Sequence, residues 1–185
     1  MASAPTSTSV VEQWPELPER KGYEYLEGTW VKIPMANPST RLAFNLLRPL
    51  ADFVDENELG EVFPHEFGYQ IWPNFPRRYR KPDGSFISRE RLLGMSLDDP
   101  LAHVAPDLAI EVISPTDRGS DIEEKVQAYF DAGVRLVWVV YPKTRSVNVY
   151  RADGSAFRLV GDSTLSGEDI VPGFTIELSD LFGLR

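Results

Sequence analysis

PDLAIEVISPTDRGSDIEEKVQAYF, residues 106–130, runs from an apolar, β-branched stretch through a polar turn into an amphipathic helix. The first part reads as a buried strand, and Glu111 stands inside it. A carboxylate taken out of water without a partner is strongly disfavoured, so Glu111 must be paired, protonated or holding a cation. After Ser114-Pro115 the turn is rich in Thr, Asp, Arg and Gly, and a helix capped near Ser120 or Asp121 follows. Ile122, Val126, Tyr129 and Phe130 form its buried stripe, and Gly133 ends it. Lys125 lies at the edge of that stripe. At about 100° per residue it stands about 60° from Ile122 and about 40° from Tyr129.

Downstream, LVWVVYP (136–142) is a continuous apolar run, expected of a central strand covered on both faces. KTRS turns into VNVYRA and DGSA turns into FRLVG, both hairpin connections. GEDIVPGFTIELSDLFGLR supplies one more strand and a short C-terminal helical turn. Upstream, LLGMSLDDPLAHV reads as a loop or short helix, and RRYRKPDGSFIS as a strand with Pro82 at its start or on an edge. EVFPHEFGYQIW is a further strand, preceded by Gly60. Leu42, Leu46, Leu47, Leu50, Phe53 and Val54 recur at helical spacing after the start signal Asn37-Pro38-Ser39. Pro49 is expected to kink or divide that helix. YEYLEGTWVKIP reads as a hairpin turning at Glu27-Gly28. Residues 1–18 are Ser/Thr/Pro-rich and expected to be a flexible arm, leaving 19–185 as a single domain. The pattern predicts an α+β fold with a mixed central β-sheet flanked by helices and an N-terminal β-hairpin.

Composition narrows the chemistry. With 42% apolar and 11% aromatic residues, the 185-residue chain matches an ordinary globular domain with a core of its own. It has no cysteine, which removes disulfides, thiolate zinc sites and cysteine nucleophiles. MASAPTSTSVVEQ has neither the basic start nor the apolar core of a signal peptide, and no run of 18 apolar residues occurs. A cytoplasmic protein without a membrane span is expected. The net charge of −9 argues against strong sequence-independent binding of nucleic acid. Local distribution qualifies that, because Arg77, Arg78, Arg80, Lys81, Arg89 and Arg91 crowd around Asp83. The cluster is either a solvated strand edge or a phosphate-facing rim.

Distance arithmetic selects the second carboxylate. Asp107 and Glu111 share a face of one strand, but four residues at about 3.3 Å each put them roughly 13 Å apart. They cannot grip one Mg²⁺, whose oxygen ligands sit at about 2.0–2.1 Å. Asp83, at the head of PDGSF on another strand, is the better candidate. Two carboxylates would hold Mg²⁺ or Mn²⁺ with water and a substrate phosphate, and Lys125 would orient the water or stabilise the departing oxygen. This is the pattern of a divalent-metal phosphodiesterase.

Asp83, then Glu111 after 27 intervening residues, then a lysine, resembles the PD-(D/E)XK nuclease superfamily with its restriction-endonuclease-like fold. More narrowly, the chain is similar to the Uma-two family of endonucleases. The similarity spans YEYLEGTWVKIP, RKPDGSFIS, PDLAIEVISPTD with KVQAYFDAGVRLVWVVYP, RSVNVYR and VPGFTIELSDLF, in that order. The resemblance implies that Asp83 and Glu111 are metal ligands and that Glu24 is a further site member. The superfamily's lysine usually stands two residues after the second acid, where this chain has Ile113; in this branch a helix lysine replaces it, which maps onto Lys125. Arg41 stands where the family tends to show histidine, and Leu136 and Tyr141 where polar or acidic residues are common. The resemblance also implies DNA as substrate, Mg²⁺ or Mn²⁺ as cofactor and a homodimer that cuts both strands.

The remaining candidates divide between roles. Asp107 either starts its strand by bonding local backbone or serves the site secondarily; Arg77, Arg78, Arg80 and Lys81 are the candidate phosphate contacts. His65 and His103 have no partner at metal or triad spacing and are assigned no catalytic part. Trp72, Trp138, Tyr129 and Phe130 read as core. Glu111→Ala is expected to abolish metal-dependent activity and leave the fold intact. The rival functions are a non-catalytic binding or assembly module that retains the fold, favoured by the net charge and the missing strand lysine, and a hydrolase of small phosphodiesters. A basic cluster that fails to border the Asp83/Glu111 cleft would deprive the nuclease reading of its phosphate rim.

Overall fold

A computed structural model describes residues 15, 20, 22–26, 28–32, 37–96, 99–114 and 117–183. The arm expected over residues 1–18 lies outside these, Pro15 excepted, as do Glu27 in the hairpin turn and Pro115 in the turn after Ser114. In chain order the elements are β1 (Tyr23–Leu26), β2 (Thr29–Lys32), α1 (Asn37–Glu56), β3 (Gly60–Pro64), β4 (Gly84–Ser88), α2 (Arg89–Leu92) and β5 (Leu108–Val112). There follow α3 (Gly119–Asp131), β6 (Leu136–Tyr141), β7 (Ser146–Arg151), β8 (Ala156–Val160), β9 (Thr164–Ser166), β10 (Thr175–Glu177) and α4 (Leu178–Leu181).

Six strands form the central sheet in the order β3-β4-β5-β6-β7-β8. Only β5 and β6 are parallel; the other neighbours are antiparallel. The parallel pair needs a crossover, and α3 supplies it, so the quoted stretch with LVWVVYP is a βαβ unit. Side-chain alternation then assigns the faces. Leu108, Ile110 and Val112 of β5 pack with Leu136, Trp138 and Val140 of β6 against Ala43, Leu46, Leu50 and Val54 of α1. Ala109, Val137 and Val139 face the other way, onto Ile122, Val126 and Tyr129 of α3. Glu111 falls on this second face. Both faces are buried, which is why β6 reads as an uninterrupted apolar run and β5 as one broken only by Glu111.

The expected mixed sheet, flanking helices and N-terminal hairpin are all present. Details differ for local reasons. Pro49 does not divide α1, which continues from Asn37 to Glu56. Leu46 and Leu50 on either side of it are fully buried, and this packing holds the helix through the missing hydrogen bond. RRYRKPDGSFIS is strand only from Gly84 on, because Pro82 has no N–H to give a ladder; Tyr79 and Arg80 make isolated bridges to Tyr25 and Tyr69 instead. Gly84 has no room for a side chain, since a Cβ there would strike Leu47 of α1. On α3, Ala128 takes a buried place and Phe130 is only half-buried. β9, three residues long and paired with β10, is too short to leave a period in the sequence.

Candidate active site

Glu111, 6% exposed, is paired on both oxygens. Its Oε1 accepts from the Tyr129 hydroxyl at 2.7 Å and its Oε2 from Lys125 Nζ at 3.0 Å. Both partners come from α3, and their i, i+4 spacing puts them one turn apart on the face over β5. Burial raises the Glu111 pKa and the Lys125 charge opposes that, while Asp83 and Glu24 push it up again. The Lys125 ammonium shows the reciprocal balance. Burial would lower its pKa, but the Glu111 and Glu24 carboxylates outweigh this and hold it above the ordinary lysine value.

Asp83 stands one residue before β4. Its Oδ2 accepts from the Val112 N–H at 2.7 Å, which ties it to the residue after Glu111. Its Oδ1 lies 3.3 Å from His65 Nδ1. The contact is an ion pair when the imidazole is protonated, and among the described residues the buried Nδ1 has no second partner. The Asp83 carboxylate more than offsets burial and raises the His65 pKa. The register explains the meeting: Pro64 pairs with Gly84, so the residue after one strand faces the residue before the other. Glu24 arrives on the hairpin, which docks through the Tyr79 N–H to Tyr25 carbonyl bond at 3.0 Å. Its Oε1 accepts from the Lys81 N–H at 3.1 Å, and its Oε2 lies 3.4 Å from the Arg80 guanidinium.

The structure therefore brings Asp83, Glu111, Lys125 and Glu24 together and adds His65 and Tyr129. Asp107 is elsewhere. At the opposite end of β5 its carboxylate accepts from the Ser88 N–H at 2.8 Å and pairs with Arg91 at 3.2 Å and Arg135 at 3.7 Å. The basic cluster is dispersed. Arg77 is exposed, and Arg78 lies 4.2 Å over the Phe75 ring. Arg80 and Lys81 are buried, Lys81 with Nζ 4.0 Å from Glu66. Arg89 pairs with exposed Glu58, and Arg91 belongs to the Asp107 cluster. Only Arg80 and Lys81 back onto the site, and both turn inward.

The sequence assigns His65 no catalytic part and Tyr129 a place in the core alone. Tyr129 had a usable signal, because it shares a helix face with Lys125 and a buried phenol needs a partner for its hydroxyl. Tyr129→Phe should destabilise the fold by about 2 kcal/mol, the scale of a lost hydrogen bond to a charged group. Urea unfolding measures this.

The donor set fits one kind of ion. Among the described residues no three of His, Asp and Glu converge as a metal cage. Asp83 and Glu111 each spend one contact per oxygen, which leaves each carboxylate acceptor capacity for an ion. Such a site suits Mg²⁺ or Mn²⁺, which is bound through one or two carboxylates while water and phosphate oxygens complete the shell.

A mixed sheet with a βαβ core, Glu111 in β5 and Asp83 tied beside it just ahead of β4, is that of a restriction-endonuclease-like α+β protein. The chain belongs to the Uma-two family: the family model described as "Uma2: Putative restriction endonuclease" matches residues 10–179. Among solved structures, a "putative nuclease belonging to DUF820" from Anabaena variabilis ATCC 29413 is similar, with a TM-score of 0.77 and 20% identity over 90% of this chain and 93% of that one. Likeness at that identity speaks for the fold. No curated protein matches the chain. Among the described residues no helix is long and apolar enough to cross a membrane.

Proposed function

We propose that the chain is a metal-dependent endonuclease that hydrolyses phosphodiester bonds in DNA. The observation that carries this is the meeting of Asp83 and Glu111 beside a lysine held in its charged form. Asp83 and Glu111 would hold Mg²⁺ or Mn²⁺, which when bound polarises a phosphate and acidifies its water. The Val112 N–H and His65 fix the direction of Asp83, and Tyr129 fixes that of Glu111. Lys125, kept protonated by its carboxylate neighbours, is a cation for the charge that develops on phosphate and leaving oxygen, and no general base. Glu24 holds Arg80 and the Lys81 backbone in place behind the site. Of the four candidate phosphate contacts only Arg77 is exposed, and a homodimer would present two such sites to a duplex.

The alternative is a non-catalytic binding or assembly module that retains the fold, and the inward pairing of Arg80 and Lys81 favours it. Incubation with plasmid DNA separates the two. The nuclease reading expects nicking or linearisation in Mg²⁺ or Mn²⁺, none in EDTA, and a rate about 10²-fold lower in Lys125→Met, the scale of one lost electrostatic contact to the transition state. Intact plasmid and intact single-stranded circular DNA under every metal condition would leave the module.

A further inference from the structure

Next to the Glu111–Lys125 cleft, and sharing Ile113, Asp117 and Ile122 with it, lies a cavity of about 540 Å³. It opens where β5 and β6 end, between the starts of α1 and α3 and the β6–β7 turn, represented by Ser39, Gly119 and Thr144. The carboxyl ends of parallel strands beside a crossover are where such sheets bind ligands, and the volume is that of a small-molecule site. The metal-site residues do not use this space.

Its walls select among ligands. Ile113, Ile122, Tyr141 and Pro142 give broad apolar surface, and the Tyr141 ring is half-buried with Tyr150 beside it. The charges are Asp117, whose Oδ2 accepts from the Ser114 N–H at 2.7 Å, and exposed Lys143 on the β6–β7 turn. A carboxylate inside repels a phosphate and accepts from the ring N–H and amino groups of a neutral heterocycle. A lysine on the outer turn suits the phosphate that follows it. Resting on the nuclease reading above, we propose that this cavity receives an unpaired nucleobase of the strand being cut, next to the scissile phosphate, with Tyr141 as its stacking surface. Bases inside a duplex cannot enter, so the preferred substrate is single-stranded or locally unpaired nucleic acid.

The test uses a cleavage-resistant phosphorothioate single strand with one 2-aminopurine, its ribose counterpart and the matching duplex, each titrated with the full chain in Mg²⁺. Two variants probe the cavity: Tyr141→Ala removes the stacking ring, and Gly119→Leu fills the space, where a Cβ meets no atom within 4 Å. A single strand should bind with a saturable change in emission, at least about tenfold tighter than the duplex, and each variant should lose roughly fivefold to a hundredfold, the range of one stacked base. The ribose arm shows which sugar the site takes. Mn²⁺ binding by both variants should equal that of the wild type. Equal affinity for single strand and duplex, or both variants binding as the wild type does, overturns the proposal and leaves the metal site standing. Absence of all oligonucleotide binding in a protein that still binds Mn²⁺ overturns it too, whereas absence of Mn²⁺ binding in the wild type removes the nuclease reading itself.

Discussion

Glu111→Gln should lose metal-dependent cleavage by about 10³-fold or more, because a carboxylate ligand contributes several kcal/mol of transition-state stabilisation through the ion it holds. The substitution keeps shape and hydrogen bonding. A glutamine oxygen still accepts from Tyr129 or Lys125, and Lys125, with its side chain 28% exposed, reaches water for the rest. Loss of the ion pair to a partly exposed lysine should therefore cost about 1–2 kcal/mol, less than a fully buried pair would. Glu111→Ala is a poorer probe than the sequence suggested. It leaves the Tyr129 hydroxyl, on a residue with no exposed surface, without its acceptor, at a cost of about 1–3 kcal/mol. The expected intact fold took relief of a buried carboxylate to cost little, whereas both Glu111 oxygens carry partners that the alanine would strand. Steady-state cleavage and urea unfolding on the glutamine variant separate the two effects.

Asp107→Ala should act in the opposite way, with a large effect on stability and little on the chemistry of folded molecules. Asp107 is 2% exposed and joins the Ser88 backbone, Arg91 and Arg135. Arg91 in turn donates to the carbonyls of Ala105 at 2.9 Å and Gly133 at 3.3 Å, so one carboxylate binds β4, α2 and the end of α3 to the start of β5. Breaking a fully buried pair costs about 3–5 kcal/mol; here both arginines reach solvent and soften the loss, so about 2–3 kcal/mol is expected. The midpoint of urea unfolding should fall while Mn²⁺ affinity below the transition stays as in the wild type. A loss of metal affinity without a loss of stability would move Asp107 into the site.

Much of this architecture was legible because burial leaves periods in a sequence. β5 and β6 are buried on both faces and read as apolar runs, β5 broken only by Glu111, and α3 shows its stripe. Strand rise set Asp107 aside and helical angle put Lys125 at the edge of the buried stripe, while the pairing of Asp83 with Glu111 and the part of Lys125 also rested on the family resemblance. What stayed hidden depends on pairing between distant segments. His65 reaches Asp83 because β3 and β4 are in one particular register, and nothing in VFPHEF states it. The inward turn of Arg80 and Lys81 depends on Glu24, 56 and 57 residues earlier on a hairpin that docks beside them. Charge counts along the chain give a basic cluster; only the packing says which of its members meet solvent. The Tyr129 hydroxyl is a related case, a polar tip on a ring whose apolar body alone sets the helical pattern.

The central claim is that Asp83 and Glu111 form a divalent-cation site, and calorimetric titration of Mn²⁺ into the wild type and Asp83→Ala tests it without any substrate. The account predicts saturable binding of one or two ions to the wild type and none to the variant. Failure of the wild type to bind, with oligonucleotide present as well as absent, would contradict it, as would equal binding by both proteins.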